Sequence, residues 1–145
     1  MTTVDAAATV QSYVAAWNTQ DDTVRRRLLE QSLSSTGRYT DPLVDLEGRA
    51  AVARHAAAFA QRWPGAIIVV SRSMEPHNGM VCFGWRVVGA GGETLREGID
   101  FGELAEDGRL RRVVGFFDPS VPASVPASGP ASGPTPVPTT GPPAS

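Results

Sequence analysis

Two aspartates stand where a carboxyl group could move a proton. Asp100 lies in Gly98-Ile99-Asp100-Phe101-Gly102, and period-two alternation puts Gly98, Asp100 and Gly102 on one face of a strand, with Ile99 and Phe101 on the other. Glycine on both sides leaves space beside the carboxylate for a ligand or a helix. Under a covering layer, desolvation raises the pKa of such an acid and makes it a neutral hydrogen-bond donor or a general acid near neutral pH. The alternatives are a structural acid paired with Arg96 or Arg86, or one facing solvent. Asp41 follows the extended Arg38-Tyr39-Thr40 and precedes Pro42, so it sits at a rim where strand meets loop. That position suits a mobile proton shuttle and equally an ordinary turn start.

The remaining reactive types are sparse. His55 falls on a helix, facing solvent or capping a pocket, and His77 in Pro76-His77-Asn78-Gly79 reads as an exposed turn histidine. Neither has the spacing of a metal pair, so no metal is expected. Cys82, the single cysteine, reads as a small buried hydrophobe, and one unpaired thiol fits a reducing, cytoplasmic setting. Trp17, Trp63 and Trp85 are core or pocket-wall residues, with Phe59 beside them in the third helix, and Tyr13 by itself reads as a core aromatic. Gly89-Ala90-Gly91-Gly92 lies between strands with no helix N-terminus behind it, so no nucleotide or other cofactor is implied.

The elements that must position these residues can be read from periodicity. Val4 to Asn18 carries Val10, Tyr13, Val14 and Trp17 at helical spacing, and a second helix runs from Asp22 to about Leu33 with Val24, Leu28 and Leu29 on one face. Ser34-Ser35-Thr36-Gly37 punctuates, Arg38 to Thr40 is a short strand, and Gly48 to Trp63 is an alanine-rich third helix stopped by Pro64-Gly65. Four strands follow, at Ala66–Glu75, Met80–Ala90, Thr94–Glu103 and Leu110–Phe117, joined by turns short enough to make neighbours antiparallel. Helices first and strands afterwards make an α+β fold in which three helices cover one face of a curved sheet and enclose a pocket.

All charged residues, 13 basic and 15 acidic, precede Pro119, and nine of the 12 prolines follow Asp118. Residues 1–118 are therefore expected to form one domain, and 119–145, a Pro/Ala/Ser/Gly repeat, a disordered tail. Every basic residue is arginine and the net charge is -2, which argues against nucleic acid as a partner. Arg25-Arg26-Arg27 reads as a solvated helix face. The longest apolar run, Ala66 to Val70, is far short of a membrane span, and MTTVDAAATV has no basic region, so neither membrane nor cleavable signal is expected.

The order helix, helix, Tyr39-Thr40-Asp41-Pro42, Gly48-Arg49-Ala50-Ala51-Val52, then strands carrying Phe83-Gly84-Trp85, Gly98-Ile99-Asp100-Phe101 and Gly115-Phe116-Phe117 resembles the nuclear transport factor 2-like superfamily, which includes SnoaL-like cyclases and ketosteroid isomerases. The resemblance implies a cone-shaped curved antiparallel sheet, an α+β barrel of cystatin-like form, and a homodimer through the sheet face. Ketosteroid isomerase pairs an aspartate base with an oxyanion hole of a tyrosine and a protonated aspartate. By motif these resemble Asp41, Tyr13 and Asp100. The Asp-Arg-Asp relay of limonene epoxide hydrolase has no match, because Gly98 and Gly115 stand in two of its places. The implied function is cofactor-independent proton transfer on an apolar carbonyl compound in a pocket lined by Trp17, Tyr39, Phe59, Trp85 and His55. The alternative is a non-catalytic small-hydrophobic-ligand binder or dimerisation module of the same fold.

Overall fold

The computed structural model describes residues 5–120, so all but the first two residues of the expected tail lie outside it. Helices α1 (Ala6–Asn18) and α2 (Asp22–Ser32) run directly into strand β1 (Leu33–Thr40); β2 (Asp45–Glu47) and α3 (Arg49–Arg62) follow, then β3 (Ile67–Ser73), β4 (Met80–Val88), β5 (Thr94–Leu104) and β6 (Leu110–Phe116). The six strands form one sheet in the order β2-β1-β6-β5-β4-β3. Every neighbouring pair is antiparallel except β1 with β6, which is parallel.

The α+β cone is therefore present, with two differences from expectation: the sheet is mixed, and it is open, with β2 and β3 as its edges. Ser34 to Gly37 belongs to β1 although its composition reads as a turn, because the strand pairs with β6 on either side of that stretch, Leu33 opposite Leu110 and Arg38 opposite Arg112. The β1–β6 register shifts between Leu33 and Arg38, so the Ser-Ser-Thr-Gly stretch is where the strand bends.

Local chemistry explains the helix ends. Asp5 and Asp21 accept from the backbone N–H groups of Ala8 (3.1 Å) and Val24 (3.0 Å), satisfying donors in the first turns of α1 and α2. The end of α1 is tied twice. The Asn18 amide exchanges two hydrogen bonds with the backbone of Ile68, donating to its carbonyl (2.9 Å) and accepting from its N–H (2.7 Å), as a strand neighbour would. Arg25 is only 2% exposed, so the solvated-face reading fails for it, though Arg26 and Arg27 are exposed. Its Nε donates to the Ala16 carbonyl at 3.1 Å, a second nitrogen donates to the Thr19 carbonyl, and a third pairs with Asp22. A guanidinium at the last carbonyls of α1 meets both their unpaired acceptors and their partial negative charge. Val24, expected on the buried face of α2, is exposed instead.

The core lies between the helices and the concave face of the sheet. Tyr13, Ala16 and Trp17 of α1 and Val52 and Ala56 of α3 pack with Val81, Phe83, Trp85 and Val87, the inward stripe of β4. Alternation sends Cys82, Ile99, Phe101 and Phe116 to the convex face, where Cys82 is half-buried rather than buried. No helix among the described residues is long and apolar enough to cross a membrane.

Candidate active site

A cavity of about 570 Å³ opens between α1, α3 and the concave sheet face. Asp41, Asp100 and Tyr13 all line it, as do Trp17, Tyr39, Phe59, Trp85 and His55. Its remaining wall includes Val44, Trp63, Phe83, Arg62, Arg96 and Phe117.

Asp100 points inward from the middle of β5 and is 7% exposed. Among the described residues it is in no ion pair, Arg86 and Arg96 included, and it accepts one hydrogen bond, from Trp85 Nε1 at 2.8 Å. Burial pushes its pKa from 3.8 up to about 7; the Trp85 N–H, which favours the ionised form, opposes this, and the Asp41 charge adds to it. The flanking glycines do not open space for a ligand directly. A Cβ at Gly98 would meet the Phe116 carbonyl oxygen at 2.4 Å and the Trp85 ring at 2.5 Å, and one at Gly102 would meet Leu110 at 2.6 Å, so neighbouring groups fill both positions. The glycine that makes room for the carboxylate is Gly115, opposite Asp100 on β6. A Cβ there would lie 2.8 Å from Asp100 Oδ1, 3.5 Å from Asp41 Cβ and 3.6 Å from the Tyr39 hydroxyl, so these groups surround one point.

Asp41 is held more firmly than a mobile shuttle. Its Oδ1 accepts from the N–H groups of Leu43 (2.8 Å) and Val44 (3.0 Å), closing an Asx turn at Pro42. Its Oδ2 accepts from the Tyr39 hydroxyl at 2.6 Å. By sequence, Tyr39 is expected only as pocket wall. Burial holds its pKa well above the ordinary tyrosine value, so it stays a donor to Asp41.

Tyr13 is 2% exposed, and its hydroxyl has no hydrogen-bond partner among the described residues; the same is true of Trp17 Nε1 beside it. Burial, then the nearby Asp100 charge, raises the Tyr13 pKa, and the adjacent Trp17 N–H, outside hydrogen-bond geometry, opposes this. His55 lies between Trp17, which it meets edge to face, and Tyr39, to which it is tilted, with ring centroids 5.6 and 6.0 Å away, and burial lowers its pKa, which favours the neutral ring. Two buried donors, a protonatable acid and an anchored carboxylate thus share one mostly apolar cavity. No three His, Cys, Asp or Glu side chains cluster as metal ligands would among the described residues.

A family model for the SnoaL-like domain matches residues 10–134. The chain belongs to the SnoaL-like family. Among solved structures, a SnoaL-like family protein of Agrobacterium tumefaciens, an isomerase by provisional assignment, is 35% identical, with a TM-score of 0.72 over 77% of this chain and 96% of that one. A SnoaL-like protein of Jannaschia, a polyketide cyclase by provisional assignment, shares the fold at 14% identity, with a TM-score of 0.62 over 83% of this chain and 94% of that one. A cystatin-like protein of Methylobium petroleophilum, of unknown function, aligns at 16% identity, with a TM-score of 0.65 over 90% of this chain and 86% of that one. No curated protein matches the sequence. This SnoaL-like cavity holds features that residue patterns had not pointed to: the Tyr39–Asp41 hydrogen bond, the gap at Gly115, and Arg62 and Arg96 in the wall. The period-two alternation of β5 was the available signal for Arg96, which shares the face of Asp100.

Proposed function

We propose that this SnoaL-like protein is a cofactor-independent enzyme that moves a proton beside the carbonyl of an apolar, ring-sized compound. Asp41, positioned by Tyr39, takes a proton from the carbon next to the carbonyl, and the electron pair passes to the carbonyl oxygen. Protonated Asp100 and Tyr13 donate to the enolate that forms. Return of the proton to another carbon is isomerisation; attack of the enolate carbon on a second carbonyl is cyclisation. The observation that carries the reading is Asp100, buried without a cation and with its pKa near 7, in the same cavity as an unpartnered tyrosine hydroxyl. An open cavity and an acid not locked to arginine support catalysis over a purely structural module. The same reading assigns the catalytic unit to residues 1–118, in a cytoplasmic homodimer joined through the sheet face.

The test is α-proton exchange. In D₂O, 2-acetylnaphthalene should exchange its methyl protons faster with the protein than without it, followed by NMR. Asp41→Asn should abolish the acceleration, and Asp100→Asn or Tyr13→Phe should lower it about 10²–10³-fold. Unaccelerated exchange, or exchange indifferent to both aspartates, would make the cavity a binding site only.

A further inference from the structure

The cavity wall at the other end of the β5 face from Asp100 is cationic. Arg96 and Asp100 leave the same face of β5 four residues apart, about 13 Å at the rise of a strand. Between them the Trp85 ring covers Gly98, so the floor runs from guanidinium, over indole, to carboxyl. The Arg96 guanidinium is held by aromatic faces, its Cζ 4.3 Å from the centroid of Phe117 and 5.7 Å from that of Trp63. Arg62 approaches the same indole at 5.8 Å.

Neither arginine is in an ion pair among the described residues, and Arg96 Nε is buried with no hydrogen-bond partner. Asp41, the carboxylate whose charge Arg96 senses, has both oxygens engaged by Tyr39, Leu43 and Val44. Burial holds Arg96 below the ordinary arginine range and the Arg62 charge acts in the same direction, yet a guanidinium stays charged near neutral pH. Two cations beside one indole, neither paired with an anion among the described residues, suit an oxyanion.

We infer that the ligand of this cavity is a keto acid: an apolar, ring-sized carbonyl compound with a carboxylate at the end remote from its carbonyl, bound by Arg96 together with Arg62. The inference rests on the carbonyl reading of the Asp100 end and adds the anionic group at the other. The volume suits two fused rings with a substituent at each end.

A rigid probe pair tests it. 6-Acetyl-2-naphthoate places a carbonyl and a carboxylate on opposite ends of two rings, and its methyl ester is the uncharged twin. By calorimetry on the full chain, the acid should bind at least tenfold more tightly than the ester, with the preference shrinking as salt rises. Arg62→Gln combined with Arg96→Gln should bring the ratio near one, and Arg96→Lys should keep most of it; thermal melts confirm folding, and the salt series on the unmutated chain needs no variant. Equal or tighter binding of the ester, or a preference that survives the double substitution, overturns the inference. If the ester binds and exchanges its acetyl protons while the acid is refused, only the keto-acid inference falls. If neither binds, the carbonyl reading falls with it.

Discussion

Asp100 makes the sharpest residue-scale demand, because its pKa couples folding to pH. The native pKa of about 7 lies above the unfolded value of 3.8. Below about pH 4 both states hold the proton and the group costs nothing. Between about 4 and 7 the native state keeps a proton that the unfolded chain releases, so stability falls as pH rises, and above 7 the full cost remains. Asp100→Asn keeps an acceptor for Trp85 and never ionises. Its stability advantage over wild type should grow from pH 4 to pH 7 and then level off, on the order of a few kcal/mol, as read by denaturant melts at several pH values. Acceleration of exchange should instead fall above about pH 7, as the Asp100 donor is lost. Gly115 is the second such residue. Gly115→Ala would put a methyl group 2.8 Å from Asp100 Oδ1 and displace the carboxylate, so exchange should slow by about tenfold or more, given the cost of misplacing a catalytic group by up to 1 Å. An unaltered rate would mean that the carboxylate position is not critical. The Asp100 face was readable because strand alternation is local. The role of Gly115 was not, since it depends on β6 lying opposite β5 at one register.

At the scale of elements, the cavity exists because α1 is fastened over the sheet. Asn18 couples it to the edge strand β3, and Arg25 couples its last turn to α2. Asn18→Leu leaves the Ile68 N–H and carbonyl without that partner and should destabilise by about 1–3 kcal/mol. Arg25→Ala removes bonds to two carbonyls from a buried position and should cost at least as much, measured by thermal melts; a loss under about 0.5 kcal/mol for either would show that α1 is held by packing alone. Three helices and the β3–β6 meander were legible because hydrophobic period and turn residues are local signals; Asn78 and Gly79, for instance, have positive φ in the expected hairpin turn. The first two strands were not. Arg38 to Thr40 of β1 pair with the three residues of β2 on one side and with β6 on the other, and β6 lies some 70 residues away, outside any local window.

At the scale of the whole molecule, the convex face is the unfinished surface. Cys82 pairs with Phe101 and Phe101 with Val114, while Gly84 pairs with Ile99 and Ile99 with Phe116, making two apolar rows across the sheet. Phe101 and Phe116 pack edge to face at 5.9 Å yet remain 41% and 55% exposed. Such a patch is suited to self-association. Sedimentation should find a dimer, and Phe101→Asp with Phe116→Asp should yield a folded monomer; a monomeric wild-type chain would leave the patch to some other role.

The parallel contact between β1 and β6 also bears on how the chain acquires its chemistry in time. The meander from β3 to β6 closes by short turns, whereas β1 meets β6 only after some 70 residues of intervening chain have been gathered in, as in Tyr39 opposite Val113. Asp41 travels with β1 and Asp100 with β5. The two carboxyl groups are therefore strangers until the slowest pairing is made, and a refolding chain should regain its native tryptophan signal from β4 before it regains any capacity to move a proton.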